Sequence, residues 1–419
     1  MAVSVTPPRG MRDILPADKA RREYALGVIR RVYAGHGFDD IETPALEEAS
    51  RLHAGLGGEN EKLAFAVMRR GLTQVDLEAS AASGNALALA DLGLRYDLTV
   101  PLARFYATNR AKLPPVFRAI QIGPVWRAER PQAGRYRQFV QCDIDILGES
   151  GMLAEIELVT ATLDALDALG ITGCSVRVND RRVLFGMLAA WGVPAELHDR
   201  ALITIDKLDK IGAQGVADEL ASFGAVPDAA AAASHIDELA GADWATGVAA
   251  PAWLDQAAFA DLVALRDALP GARLTFDPTL VRGMGYYTGT IFEIAHPDFG
   301  YSLGGGGRYD RMIGRFLGAD VPACGFSIGF ERIVDLVQVP ADGRPRAVVL
   351  VHDADAPLPA LLALKRDLVD AGARVRLERR VKNTKALLDR LTADGFDEFA
   401  FVSAEVPPAV SGLEFRTLG

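Results

Sequence analysis

Between residues 115 and 148 the chain carries two long runs of strand character, VFRAIQIGPVWRAE and RYRQFVQCDIDILG. Pro131, Gln132, Ala133 and Gly134 part them, and proline and glycine at such a break predict an antiparallel hairpin. Alternate residues of a strand share a face, so Gln141, Asp143 and Asp145 are expected together. The opposite face carries Tyr136, Val140, Cys142, Ile144 and Ile146. On the first strand Gln121, Arg127 and Glu129 share parity. One side of the hairpin thus suits a core. The other gathers carboxylates around an arginine, which is costly to bury unless the charges find partners. A solvated sheet face and a polar site both fit that pattern.

The rest of the chain supplies layers for such a sheet. Apolar residues at helical spacing (Ala25, Val28, Ile29, Val32, Tyr33) predict a helix over 17–36. FDDIETPALE reads as a strand entering a turn at Pro44, residues 79–90 as an Ala/Ser/Gly loop, and LGLRYDLTVP as a strand. A helix is expected over 151–169, then an Ala-rich helical module over about 180–265 that looks inserted. Strand character returns at 273–276 and 288–295, followed by the glycine-rich YSLGGGGRYD and by ACGFSIGFERIVDLV, a strand feeding a helix. Beyond a short linker, AVVLV, RVRLE and EFAFV alternate with helices 357–370 and 383–394, the pattern of a small, parallel α/β domain. The expected fold is α+β. A mixed, mostly antiparallel sheet flanked by helices forms residues 1–335, with the helical insertion, then a linker over 336–345 and the small domain over 346–419. Half of the 419 residues are apolar, enough for more than one core.

Several function classes are disfavoured. No apolar run approaches the roughly 20 residues that span a bilayer. The N-terminal residues lack the pattern of a signal peptide, so a cytoplasmic protein without a membrane partner is expected. Cys142, Cys174 and Cys324 form no metal spacing and read as buried thiols. A net charge of −10 argues against coating nucleic acid non-specifically, although Arg374, Arg376, Arg379, Arg380, Lys382 and Lys385 form a local basic run. The GGGG run at 304–307 lets backbone approach a ligand or a strand closely, but it is neither a P-loop nor a dinucleotide fingerprint.

Several separated segments, in order, resemble the histidine–tRNA ligases, a family of class II aminoacyl-tRNA synthetases. PPRGMRDILP (7–16) resembles their N-terminal signature, and GFDDIETPALE (37–47) the dimer-forming motif 1. LRYDLTVP (94–101) resembles the segment that holds the amino acid's ammonium group, and GPVWRAERPQAGRYRQFVQCDIDILG (123–148) resembles motif 2. NDRRVL and IDKLDKIG resemble the inserted domain, VRGMGYYTGTIFE and GGGRYD the histidine-specific motifs, and GFSIGFERI motif 3.

The resemblance implies activation of histidine by ATP with Mg²⁺, transfer to histidine tRNA, and a homodimer. It implies that Arg127 grips the α-phosphate, that Glu129 sits by the adenine or a metal, and that Arg332 holds the γ-phosphate. Arg282 would bind the histidine carboxylate and the α-phosphate. Asp97, Thr99 and Gln141 would take the ammonium group, Asp145 and Tyr287 would read the imidazole, and Tyr309 would line that pocket. Tyr286, of opposite parity to Tyr287, is expected in the core. Position 285 is Gly where the family usually has an acidic residue, and the last domain is short and lacks the family's acidic turn. Two alternatives follow from those departures. One is a histidine-adenylating enzyme with another acceptor. The other is the non-catalytic, histidine-binding regulatory subunit of ATP phosphoribosyltransferase, which usually lacks the arginines and the last domain present here.

Overall fold

The computed structural model describes residues 5–53, 62–131, 135–226, 228–240, 254–281, 286–340, 345–407 and 409–418. The chain divides into two compact units. One comprises Met1–Asp13 and Ala25–Val337, the other Ile14–Tyr24 and Gln338–Gly419.

Strands of the first unit are β1 (Asp39–Asp40), β2 (Leu46–Glu48), β3 (Phe65–Met68), β4 (Ala90–Leu94), β5 (Phe117–Trp126) and β6 (Gln138–Leu147). They continue with β7 (Ser175–Asp180), β8 (Leu274–Phe276), β9 (Thr290–His296), β10 (Phe299–Arg308) and β11 (Ala323–Gly329). Eight of them form one mixed, mostly antiparallel sheet in the order β1-β5-β6-β11-β10-β9-β7-β8, and a small sheet has the order β2-β4-β3. The hairpin expected from residues 115–147 is β5–β6, with Gln121 opposite Asp143 and Ala119 opposite Asp145.

Register organises the large sheet into rows. Ile144 pairs with Ile120 and Phe326, and Cys142 with Ile122 and Ile328. All but the half-buried Ile122 are buried on the apolar face, where Phe292 and Phe326 stack with centroids 5.6 Å apart. The helix Leu153–Ala168 packs on β6 and β11 through buried Leu158, Val159 and Ala165. Each large apolar side chain so buried contributes about 2–3 kcal/mol. The alternate rows run from Asp145 to Gly325 and Gly307, and from Asp143 to Ser327 and Gly305. Carboxylates on β6 therefore face a glycine floor on β11 and β10.

Local expectations fail at three places. Of the Ala/Ser/Gly loop expected near 79–90, residues 79–83 end the helix Gln74–Ser83, started by a reciprocal Thr73–Asp76 capping box and stopped at Gly84 with φ 65°, and Ala86–Leu89 form a 3₁₀ turn. LGLRYDLTVP is a strand only to Leu94. A helix begins at Thr99, and Asp97 Oδ1 accepts the Val100 N–H at 3.1 Å. The strand in FDDIETPALE shrinks to β1. Pro44 has no N–H to donate, and the Thr43 carbonyl accepts from the buried Arg95 at 2.8 Å.

Between Asp180 and Gln256 the described residues are mainly helical: Arg181–Ala190, His198–Ile205, Leu208–Ser222 and Ala229–Ala240, followed by Gln256–Ala268. The first four enclose a core around Leu184, Leu202, Val216, Leu220 and Ile236, which Leu280, Val281 and Ile291 join. In the second unit β12 (Ala347–His352) lies between β13 (Arg374–Arg379) and β14 (Glu398–Val402), all parallel, and β15 (Arg416–Thr417) adds an antiparallel edge. The run AVVLV is buried on both faces, as a central parallel strand must be. The three cysteines are free and buried.

Candidate active site

A cavity of about 300 Å³ opens on the glycine-floored face of the large sheet. Asp97, Thr99, Arg127, Glu129, Gln141, Asp145, Tyr287, Tyr309 and Arg332 all line it. Arg282 and Gly285 lie outside the described residues. The strand parity that placed Gln141, Asp143 and Asp145 on one face holds for these three, and all reach the cavity, but Tyr136 and Val140, expected on the opposite face, line it too.

The two ends of the cavity differ chemically. One end is built on the row of Asp145, Gly325 and Gly307. Tyr309 donates its hydroxyl to Asp145 Oδ1 at 2.6 Å, and both side chains are buried. A Cβ at Gly325 would stand 1.9 Å from that oxygen, so the absence of a side chain there is what lets the pair cross the strand. Burial pushes the Asp145 carboxyl up to about 7, with the Tyr309 bond working against it and the charge of Asp97 adding to it. Burial, then the neighbouring Asp145, also raises Asp143. Arg308 and Asp310 flank Tyr309 and anchor it. The Arg308 guanidinium forks onto buried Glu155 at 2.6 Å through both contacts, and Asp310 accepts the Ala323 N–H at 2.9 Å.

The other end lies further along β6, past Gln141, and holds Arg127, Arg135 and Arg332 with Glu129 and Glu331. Arg127 Nε donates to the Tyr96 carbonyl at 2.9 Å, and its guanidinium stands 5.1 Å from the Phe139 ring. Among the described residues its terminal nitrogens donate no hydrogen bond within the fold, which leaves them to an anion. Arg332 is tied through one terminal nitrogen to the Ser302 carbonyl. Between the two ends, the Gln141 amide donates to Ser327 Oγ at 3.2 Å, and among the described residues its buried Oε1 has no hydrogen-bond partner. A ligand with a cationic or N–H-bearing end and an anionic end fits this polarity.

Sequence reasoning missed Tyr136, Phe139, Ser327 and Glu331 as cavity residues. Tyr286, expected in the core, also lines the cavity, its ring 4.9 Å from Tyr287 and 6.0 Å from Tyr309. Residues 286–289 are not a strand, so alternation does not apply to them. Among the described residues no cluster of three or more His, Cys, Asp or Glu side chains is arranged to hold a metal ion by itself. Glu129 in the cavity wall could offer a carboxylate to a divalent cation that took its other oxygens from a polyanionic ligand and water.

A family model described as histidyl-tRNA synthetase matches residues 10–333. The chain is 61% identical to a histidine–tRNA ligase from Leifsonia xyli subsp. xyli, over 99% of each chain. It is 42% identical to a probable histidine–tRNA ligase from Tropheryma whipplei, over 97% of each. In fold it resembles the histidyl-tRNA synthetase of Nostoc sp. PCC 7120, with a TM-score of 0.74 and 24% identity over 96% of this chain and 93% of that one. A Bacillus halodurans protein described as an ATP phosphoribosyltransferase regulatory subunit/histidyl-tRNA synthetase gives 0.75 at 21% identity, over 96% and 99%. Fold alone therefore does not separate a ligase from a regulatory subunit.

Proposed function

The chain belongs to the histidyl-tRNA synthetase family, and on that footing we propose that it activates histidine with ATP and transfers it to histidine tRNA. The observation that carries this reading is the 61% identity to a histidine–tRNA ligase along nearly the whole of both chains. The cavity supports it. Histidine lies with its imidazole between the Asp145–Tyr309 pair and Tyr287, and its ammonium group against Asp97, Thr99 and Gln141. A neutral imidazole has one donor and one acceptor, so a carboxylate and a hydroxyl together satisfy both nitrogens. A site built this way rejects apolar amino acids strongly, because its buried polar groups would be left unpaired.

In the first step a histidine carboxylate oxygen attacks the α-phosphorus of ATP, and the bond to the β-phosphate oxygen breaks to release pyrophosphate. The nucleophile is already ionised, so this step needs no general base. Negative charge grows on the α-phosphate, where Arg127 and Arg282 are assigned, and Arg332 holds the γ-phosphate. Arginines placed in advance at that charge lower the barrier without reorganising. Glu129 would meet Mg²⁺ carried in with ATP, and that ion would supply charge neutralisation for the pyrophosphate. In the second step the 3′-terminal ribose hydroxyl of the tRNA takes the histidyl group and AMP leaves.

Histidine-dependent ATP–pyrophosphate exchange, followed in the same tube by charging of histidine tRNA, tests the reading. Exchange with charging is the expected result. Exchange without charging would move the protein to an adenylating enzyme with another acceptor. Histidine binding without exchange would move it to the regulatory class.

No described helix is long and apolar enough to cross a membrane, and a cytoplasmic location suits the tRNA substrate. Residues 346–419 are assigned as the anticodon-binding-like domain, where Arg379, Lys382 and Lys385 offer exposed cations. A homodimer joined through motif 1 is part of the proposal. It is supported by exposed Leu46, Met68, Val75 and Leu87 on and beside the small sheet. Sedimentation is expected to give twice the chain mass, and a single-copy species at micromolar concentration would overturn it.

A further inference from the structure

The N-terminal turn Pro8–Arg12 lies against the return strand of the hairpin. Met11 N–H closes the turn on the Pro8 carbonyl at 2.9 Å, and the Gly10 carbonyl accepts the Arg137 N–H at 2.8 Å. Gly10 has φ +81°, and a Cβ there would stand 2.8 Å from Pro131 Cγ and 2.9 Å from Arg137 Cγ. The turn therefore reaches the hairpin closely because residue 10 has no side chain. This brings Arg12 over Tyr136. Its guanidinium carbon is 3.9 Å from the ring centroid, and Nη1 donates to the Tyr136 hydroxyl at 3.0 Å. Nη2 forms an ion pair with Glu331 Oε2. The other oxygen of Glu331 accepts the Val140 N–H at 3.2 Å, just past the last β6–β11 pair, Gln141 with Gly329.

Tyr136, Val140 and Glu331 line the arginine-bearing end of the cavity, and Glu331 directly precedes Arg332. The Glu331 side chain is 6% exposed. A carboxylate there repels a polyphosphate unless a cation offsets it, and the repulsion grows as water is excluded. We infer that Arg12 is a positioning residue for the nucleotide: it neutralises Glu331 and holds Tyr136 as a wall of the ATP end. The inference rests on the ATP reading above. One planar guanidinium performs both tasks, stacking on the ring while its fork reaches a hydroxyl and a carboxylate. Lysine keeps the charge but neither the plane nor the fork.

The experiment measures KM for ATP and for histidine in pyrophosphate exchange with the full chain. Arg12→Met should raise the ATP KM about tenfold and leave the histidine KM within about twofold. Adding Glu331→Gln to Arg12→Met should recover part of that loss, because the carboxylate that Arg12 offsets is gone. Arg12→Lys should give a smaller rise, about threefold, again for ATP alone. Melting temperatures identify a variant that does not fold, and Arg12→Lys then carries the test. If the unaltered chain exchanges but both KM values rise together, or the double variant is no better than Arg12→Met, the inference is overturned and Arg12 is merely structural. If the unaltered chain shows no histidine-dependent exchange, the functional reading falls and this inference with it.

Discussion

Arg127→Met should lower the rate of histidine-dependent pyrophosphate exchange by about 10³-fold, with the melting temperature little changed. The size of the effect follows from how Arg127 is held. Its Nε is committed to the Tyr96 carbonyl at 2.9 Å, and its own N–H to the Arg137 carbonyl at 2.9 Å, so backbone from two segments sets its direction. A methionine fills similar volume but brings no donor to the α-phosphate. Water cannot take over, because a donor that must reorient loses the advantage of preorganisation. Arg127→Lys should restore little, since a point charge replaces two aligned N–H groups. The loss should fall on kcat more than on either KM, because the charge it meets grows in the transition state. A variant retaining a tenth or more of the wild-type rate would remove Arg127 from the chemistry and leave it as a support for Tyr96.

Asp145→Asn should raise the histidine KM about 10²-fold while the ATP KM stays within about twofold. The carboxylate accepts from Tyr309 at 2.6 Å and can accept from an imidazole N–H as well, whereas an amide in its place offers one oxygen and a misplaced NH₂. Gly325→Ala should reproduce much of this defect without altering either ligand-binding side chain. Its Cβ would meet Asp145 Oδ1 at 1.9 Å, and the carboxylate, being the movable partner, would turn away from Tyr309. Equal losses for histidine and ATP in either variant would make Asp145 a structural residue.

The same substitution carries a pH signature in the ligand-free protein. The Asp145 carboxyl titrates near 7 in the fold against 3.8 when unperturbed. Over that window the folded state keeps a proton that the unfolded chain has lost. The Asp145 contribution to stability therefore falls as pH rises from about 4 to about 7, by roughly 4 kcal/mol, and is level above it. Asp145→Asn removes that loss. The variant should melt higher than wild type at pH 8, and the gap should close toward pH 4. A gap of constant size across this range would mean that ionisation of Asp145 is not what destabilises the free site.

Such a site strains its own fold. Asp97, Asp143 and Asp145 are each at most 4% exposed. Burial and the neighbouring carboxylates raise the proton affinity of Asp143 and Asp145, and a cationic ligand relieves them. On the functional reading, the histidine ammonium group is that ligand, so histidine should also stabilise the protein against heat.

Local pattern alone was enough for much of this. Alternation along QCDIDIL placed Gln141, Asp143 and Asp145 on one face and Cys142, Ile144 and Ile146 on the other, because the pleat imposes a period of two wherever a strand is regular. The glycine and proline breaks marked the hairpin, and the order of motifs marked the family. What failed turned on short-range caps and on where the chain leaves the sheet. Residues 74–83 are helical because Thr73 and Asp76 cap each other, a short signal within an Ala/Ser-rich run that also suits a loop. Thr99 starts a helix rather than extending a strand, with Asp97 bonded to the Val100 N–H at its start. Tyr286 escapes the parity rule because its segment leaves the sheet.

The site's decisive contacts lie beyond any local window. Gly325 meets Asp145 across β6 and β11, Tyr309 reaches Asp145 over 164 residues of sequence, and Arg12 reaches Glu331 over 319. The sequence by itself determined which residues could carry the chemistry and which way regular strands would turn them. Only the tertiary structure decided which of them meet, since register between distant strands is set by packing of the whole sheet and not by the residues on either strand alone.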